Sequence, residues 1–210
     1  MDHEEIKLNG CTIEIHQDED AQDPQEWGDN SLFLVGYHHD FWVEAPGYHR
    51  DRAKNNALFN KEDLIAFFNG EDSENYSNSG VFPQYHIFEL EAYIHSGVRL
   101  ALSSEGNFPD RRWDVSQLGA VFVSRTKLNG KLSAKQARKY ALGLIEEWNQ
   151  YLSGQVYGFI TKDEQGTYLD SCWGFYGDPE ESNLLDEARA SINRYVKDKK
   201  EELSGILAGA

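Results

Sequence analysis

Basic residues are scarce in this chain: 20 Lys and Arg stand against 36 Asp and Glu in 210 residues. A formal net charge of −16 disfavours a dedicated nucleic-acid binder, because phosphate contacts need cations. It disfavours anionic membranes for the same reason. Long apolar runs are also missing, and none approaches the ~20 residues of a spanning helix. The opening Met1-Asp2-His3-Glu4-Glu5 has neither the basic nor the apolar region of a secretory signal. Cysteine is reduced to Cys11 and Cys172, too few for a disulfide scaffold and in no metal-type spacing. These absences point to a cytoplasmic protein with two reduced thiols. No glycine-rich phosphate loop and no Gly-x-Ser-x-Gly elbow occurs, so nucleotide hydrolysis and elbow-type acyl transfer lack their signatures. No internal repeat is visible.

What is present is a one-sided field. Residues 1–82 hold 18 acids and 5 bases, whereas residues 83–210 hold 18 acids and 15 bases. A surplus kept only for solubility would be spread more evenly, so an acidic face is expected. Eleven Tyr, eleven Phe and five Trp beside a single Met imply a folded core of rings and aliphatics. The charge shift divides the chain into an acidic portion, 1–82, that packs on or extends a core, 83–210.

Local patterns give the elements. Ile6 to His16 alternates like strand, and Asn9-Gly10 inside it favours a type I′ hairpin turn. Pro24 can open a short helix over Asp23 to Trp27. Ser31 to His38 reads as a buried strand, and residues 40–59 as a long loop. Asn60 can cap a short helix carrying Leu64, Ile65, Phe67 and Phe68. Gly70 to Gly80 reads as a polar loop. Tyr85 to Ile94 and Val98 to Ser103 form a hairpin around His95-Ser96-Gly97, and Leu118 to Ser124 is a further strand. Ser133 and Gln136 make a capping box for a helix that sets Ala137, Tyr140, Ala141, Leu144, Ile145, Trp148 and Tyr151 on one face, ending at Gly154. Val156 to Lys162 and Thr167 to Tyr176 form a second hairpin. Asp178-Pro179 begins a last helix with Leu184, Leu185, Ala188, Ile192, Tyr195 and Val196 inward. This order predicts an α+β fold, an antiparallel sheet covered by two helices from the C-terminal half. The 95–97 hairpin and the strand ending in Trp173 are expected in one sheet.

Few residues point to chemistry. Asp18, Glu19, Asp20, Asp23 and Glu26 crowd five carboxylates into nine positions, yet the glycine and distal glutamate of an EF-hand loop are absent. A solvated acidic loop is the expectation, with no metal and no other cofactor. His38 and His39, as strand neighbours, should point to opposite faces. Cys172, between aromatics, is expected buried and inert. Trp173, Phe175 and Tyr176 read chiefly as core.

Tyr93-Ile94-His95-Ser96-Gly97, the Trp113-Asp114-Val115-Ser116-Gln117-Leu118-Gly119 segment, Tyr151-Leu152-Ser153-Gly154-Gln155-Val156-Tyr157-Gly158 and Asp170-Ser171-Cys172-Trp173-Gly174-Phe175-Tyr176-Gly177 together resemble a family of small proteins encoded by phages and mobile elements. Asp18-Glu19-Asp20 with Pro24 and Trp27 is similar to that family's acidic opening. Val115-Ser116 departs from its usual Ser-Gly. The resemblance implies a mobile-element setting and supplies no catalytic residue.

The functional expectation is a non-enzymatic phage or plasmid accessory protein that binds and inhibits a host protein, one that handles nucleic acid. Asp18, Glu19, Asp20, Asp23, Glu26 and Asp29 would meet the basic groove, with Trp27 as anchor, in the manner of an anti-restriction or anti-CRISPR nucleic-acid mimic. No direct contact with nucleic acid or membrane is expected. The alternative is a metal-dependent hydrolase built from Asp18, Asp20, His95 and Asp114.

Overall fold

The computed structural model describes residues 4–26, 28, 30–44, 84–103, 105–108, 114–126 and 130–208. The helix expected after Asn60 and the loop Gly70 to Gly80 lie outside these residues. The chain divides into two compact units, Met1–Gln22 with Gly154–Ala210, and Asp23–Ser153. The charge step at 82/83 follows composition, whereas packing divides the chain at 22/23 and 153/154.

The first unit is a four-stranded antiparallel sheet with one helix on it. Strands β1 (Glu4–Leu8) and β2 (Cys11–Gln17) pair through Asn9-Gly10, whose φ values of 51° and 83° are those of a primed hairpin turn. β2 then pairs with β8 (Val156–Lys162), and β8 with β9 (Tyr168–Tyr176). Helix α2 (Leu184–Ala208) covers one face. Its Leu184, Leu185, Ala188 and Ile192 pack on Cys11, Ile13, Ile15 and Phe159. One polar contact enters this layer, a 3.1 Å hydrogen bond between the hydroxyls of Thr161 and Ser191. The helix starts at Leu184, later than expected, because residues 178–183 form turns in which the Asp178 carboxylate accepts from Glu180 N–H.

The second unit is a five-stranded antiparallel sheet in the order β4 (Phe41–Val43), β3 (Leu32–His38), β7 (Val115–Ser124), β5 (Tyr85–Ile94), β6 (Val98–Leu102). β4 lies where the sequence indicates loop, since three residues are too few to show a period. Helix α1 (Ala134–Leu152) starts at Ser133, whose hydroxyl accepts from Gln136 N–H while the Gln136 side chain accepts from Ser133 N–H. Ala137, Ala141, Leu144, Ile145 and Trp148 face the sheet and pack with Leu34, Leu90, Leu100, Leu102, Val121 and Val123. Each large aliphatic side chain so buried contributes about 1.5–3 kcal/mol. Asn149 pins the helix to edge strand β6, accepting from Leu100 N–H at 2.7 Å and donating to Leu100 C=O at 3.0 Å. The opposite face of this sheet carries a second cluster, with Phe33 and Phe122 stacked at 5.0 Å and Tyr85 edge-on to both. Apolar contacts on both faces explain the unbroken run Leu32 to Val35.

The fold is therefore α+β, with antiparallel sheet covered by two helices of the C-terminal half. One expectation is corrected. The hairpin at His95-Ser96-Gly97 and the strand containing Trp173 lie in different sheets, each with its own helix. Both hairpins carry equally good strand patterns, and pattern alone does not choose a partner. β8 pairs with β2, whose sequence lies at the far end of the chain.

Candidate functional site

The acidic segment begins where β2 ends. In the first unit Asp18 N–H donates to Val156 C=O at 2.8 Å, and Tyr176 Oη donates to Gln22 C=O at 2.7 Å. These bonds hold the backbone of residues 18–22 against β8 and β9. The Asp18 carboxylate turns back to accept from Asp20 N–H at 3.2 Å. Glu19 and Asp20 are exposed.

In the second unit the expected short helix at Asp23 to Trp27 is a turn over residues 24–26 instead. The Asp23 carboxylate accepts from Gln25 N–H at 2.9 Å, and Asp23 C=O accepts from Glu26 N–H at 3.1 Å. A carboxylate that serves its own turn competes with helix propagation. Gln25 is the residue that sequence reasoning missed. Its side chain is buried and makes three bonds: it donates to Leu34 C=O (3.1 Å) and Glu44 C=O (2.9 Å), and accepts from Leu34 N–H (3.0 Å). It thereby satisfies the free edge of β3 beyond the short strand β4. A Gln between acidic residues carries no sequence signal for such a role. Glu26 is exposed, and Trp27 and Asp29 lie outside the described residues. Among the described residues, no Lys, Arg or His pairs with Asp18, Glu19, Asp20, Asp23 or Glu26.

The hydrolase set divides between the units. Asp18 and Asp20 belong to the first, and His95 and Asp114 to the second. His95 Nδ1 lies 3.8 Å from Asp114 Oδ2, and Asp114 C=O accepts from Ile94 N–H, so this pair closes the β5–β6 hairpin end. His95 is largely exposed.

The first unit also presents a polar, aromatic face away from α2. Glu14 accepts from Lys162 Nζ at 2.6 Å and lies 3.5 Å from His16 Nε2. The Lys162 hydrogen bond, opposed by partial burial and reinforced by His16, lowers the Glu14 pKa below the usual carboxylate range. The pair therefore stabilises the fold at neutral pH and fades as acid protonates Glu14. Trp173 lies over Gly158, where any Cβ would collide with its ring, and its ring centre is 6.3 Å from that of His16. It is 45 % exposed, against the expectation of a core ring. The cause is a bulge. Residues 173 and 174 together oppose Gly158, and Gly174 takes φ 82°, which puts Phe175 in the core and turns Trp173 outward.

Cys172 is exposed rather than buried, and Cys11 is the buried thiol. Burial first, then the negative charges of Glu164 and Asp163, raises the Cys11 pKa. Both cysteines are free. Ellman's reagent should titrate one thiol per native chain, Cys172, and two in denaturant. Two rapidly titrated thiols in the native protein would contradict the burial of Cys11.

A groove of about 450 Å³ flanks α1, lined by apolar Leu32, Leu132, Tyr140 and Leu144 and by charged Lys131, Lys139 and Glu147. Partial desolvation raises the Glu147 pKa. No described helix is long and apolar enough to cross a membrane. No protein-family model matches the chain, and no curated protein or solved structure matches it either.

Proposed function

We propose that the protein is a non-enzymatic binding module, a phage or plasmid accessory protein that engages and inhibits a host protein in the host cytoplasm. Its partner handles nucleic acid and presents a basic groove. The specific form is an anti-restriction or anti-CRISPR nucleic-acid mimic. The observation that carries this reading is charge without compensation. Five carboxylates in nine residues have no ion-pair partner among the described residues, and Glu19, Asp20 and Glu26 are exposed. Carboxylates left unpaired in a chain of net charge −16 add to a field that attracts cationic surfaces at long range. The mobile-element setting rests on the resemblance of the sequence blocks described above. The metal-dependent hydrolase has less support, since within a single unit its assembled part is the His95–Asp114 pair.

The hydrogen bonds refine the experiment. Asp18 and Asp23 hold their own turns, so they are kept. Glu19→Lys, Asp20→Lys and Glu26→Lys change exposed side chains to which no hydrogen bond is assigned, and each should alter stability by no more than about 0.5 kcal/mol. Purified restriction enzymes and CRISPR effector complexes are presented to the wild-type protein, and displacement of duplex DNA is measured at low and high salt. Displacement by the wild type that weakens with salt, with at least tenfold slower association for the triple variant, is the expected result. Association by the folded triple variant at the wild-type rate would remove this surface from the proposal. Absence of displacement across the panel would remove nucleic-acid mimicry.

A further inference from the structure

The β3–β4 hairpin closes through the two residues His39-Asp40, between the paired His38 and Phe41. Loops of this length favour residues at positive φ, as Asn9-Gly10 supplies in the first hairpin. Neither His39 nor Asp40 adopts positive φ. Their presence is thus not explained by the backbone preference of a primed turn. What they bring is donor atoms. His39 lies in the turn, so it does not alternate with His38 as a strand neighbour would, and the two ring centres are 4.2 Å apart. This corrects the expectation of opposite faces. Asp40 Oδ2 stands 2.9 Å from His39 Nε2 and 3.7 Å from His38 Nδ1. One ligand atom from each of the three residues falls within 4.8 Å of the others.

We infer that His38, His39 and Asp40 form a binding site for a divalent transition-metal ion, of which Zn²⁺, Ni²⁺ and Cu²⁺ are the suited class. Imidazole nitrogen favours these ions, whereas Ca²⁺ and Mg²⁺ take oxygen ligands almost throughout. A tetrahedral ion with bonds of about 2.0–2.1 Å needs neighbouring donors about 3.3 Å apart. The His39–Asp40 edge is already near this spacing. The remaining approach requires only rotation of side chains that reach solvent, since His38, Asp40 and His39 are 24 %, 50 % and 79 % exposed. Asp40 N–H donates to His38 Nδ1 at 3.2 Å, which orients that ring and yields to the metal if the ion takes Nδ1. Three protein ligands leave at least one position to water or to a donor on another molecule. The site uses none of the carboxylates of the acidic segment, so it stands or falls independently of the proposed binding surface.

The probe is Zn²⁺ alone, titrated calorimetrically into the full, tag-free chain. One saturable ion per chain is expected, with excess Mg²⁺ failing to compete. His39→Gln, at the most exposed of the three positions, leaves the fold intact and should weaken Zn²⁺ binding at least tenfold. His38→Ala, His39→Gln and Asp40→Asn combined should abolish it, while His95→Ala and the Glu19, Asp20, Glu26 charge reversal leave it unchanged. Thermal melting of each variant confirms the folded state. Absence of saturable Zn²⁺ binding, or equal affinity in wild type and folded His39→Gln, would overturn the site. A loss of affinity on His95→Ala instead would assign the ion to the His95–Asp114 pair and overturn it equally.

Discussion

Replacing Trp148 by alanine should lower the unfolding free energy by about 3–5 kcal/mol, the cost of removing a buried aromatic side chain and leaving a cavity. Trp148 is the largest side chain that α1 inserts into its sheet, and it is 2 % exposed. It meets Phe41 edge-on at 5.6 Å and Tyr151 at 5.7 Å, so its loss also frees two rings. Urea unfolding followed by circular dichroism reads the change as a shift in midpoint at constant slope. Trp148→Phe should cost far less, because a ring still fills the site. Among the described residues the indole N–H it removes has no hydrogen-bond partner, which offsets part of the lost volume. A shift under 1 kcal/mol for the alanine variant would mean that α1 does not dock as described.

Gln25→Ala should cost about 3 kcal/mol, although the residue sits among acidic neighbours and its truncation removes little apolar area. Truncation strands Leu34 N–H and Leu34 C=O and removes the bond to Glu44 C=O, and each buried polar group left unpaired costs about 1–3 kcal/mol. Water entering the gap recovers part of the sum, which keeps the expectation near the lower end. Gln25→Glu should not rescue it, since a carboxylate keeps one acceptor but loses both donor bonds to carbonyls. The same urea titration provides the measurement, and a loss below 1 kcal/mol would show that the brace is not needed. The variant also separates two meanings of the acidic segment. Lost partner binding with a lowered melting point marks a structural effect through Gln25. Lost binding at an unchanged melting point, as expected for the Glu19, Asp20 and Glu26 reversal, marks a surface effect.

The first hairpin turn and the start of α1 were legible because their chemistry is local. Asn9-Gly10 selects its turn through the φ values those two residues tolerate, and Ser133 with Gln136 closes a cap within one helical turn. The inward face of α1 follows from 3.6-residue periodicity: of the seven residues expected there, Ala137, Ala141, Leu144, Ile145 and Trp148 are buried, and Tyr140 and Tyr151 are half-buried against the same cluster. Excess negative charge is a sum over residues and needs no fold at all. The α+β class follows from the order of these elements.

Strand partnership was decided elsewhere. β5–β6 and β8–β9 look alike as sequence, yet they enter different sheets, because pairing depends on which backbone edge is free when the chain collapses. The outward turn of Trp173 depends on one bulge opposite Gly158, which shifts strand parity by a residue. The gathering of His38, His39 and Asp40 depends on where β3 stops, and a turn position of ±1 decides whether adjacent histidines diverge or converge. Gln25 became a brace only when β4 proved too short to cover β3. Local chemistry is carried by neighbouring residues and survives in the sequence. Contacts between distant segments are chosen by the packing of the whole chain, and so only the tertiary structure decides them.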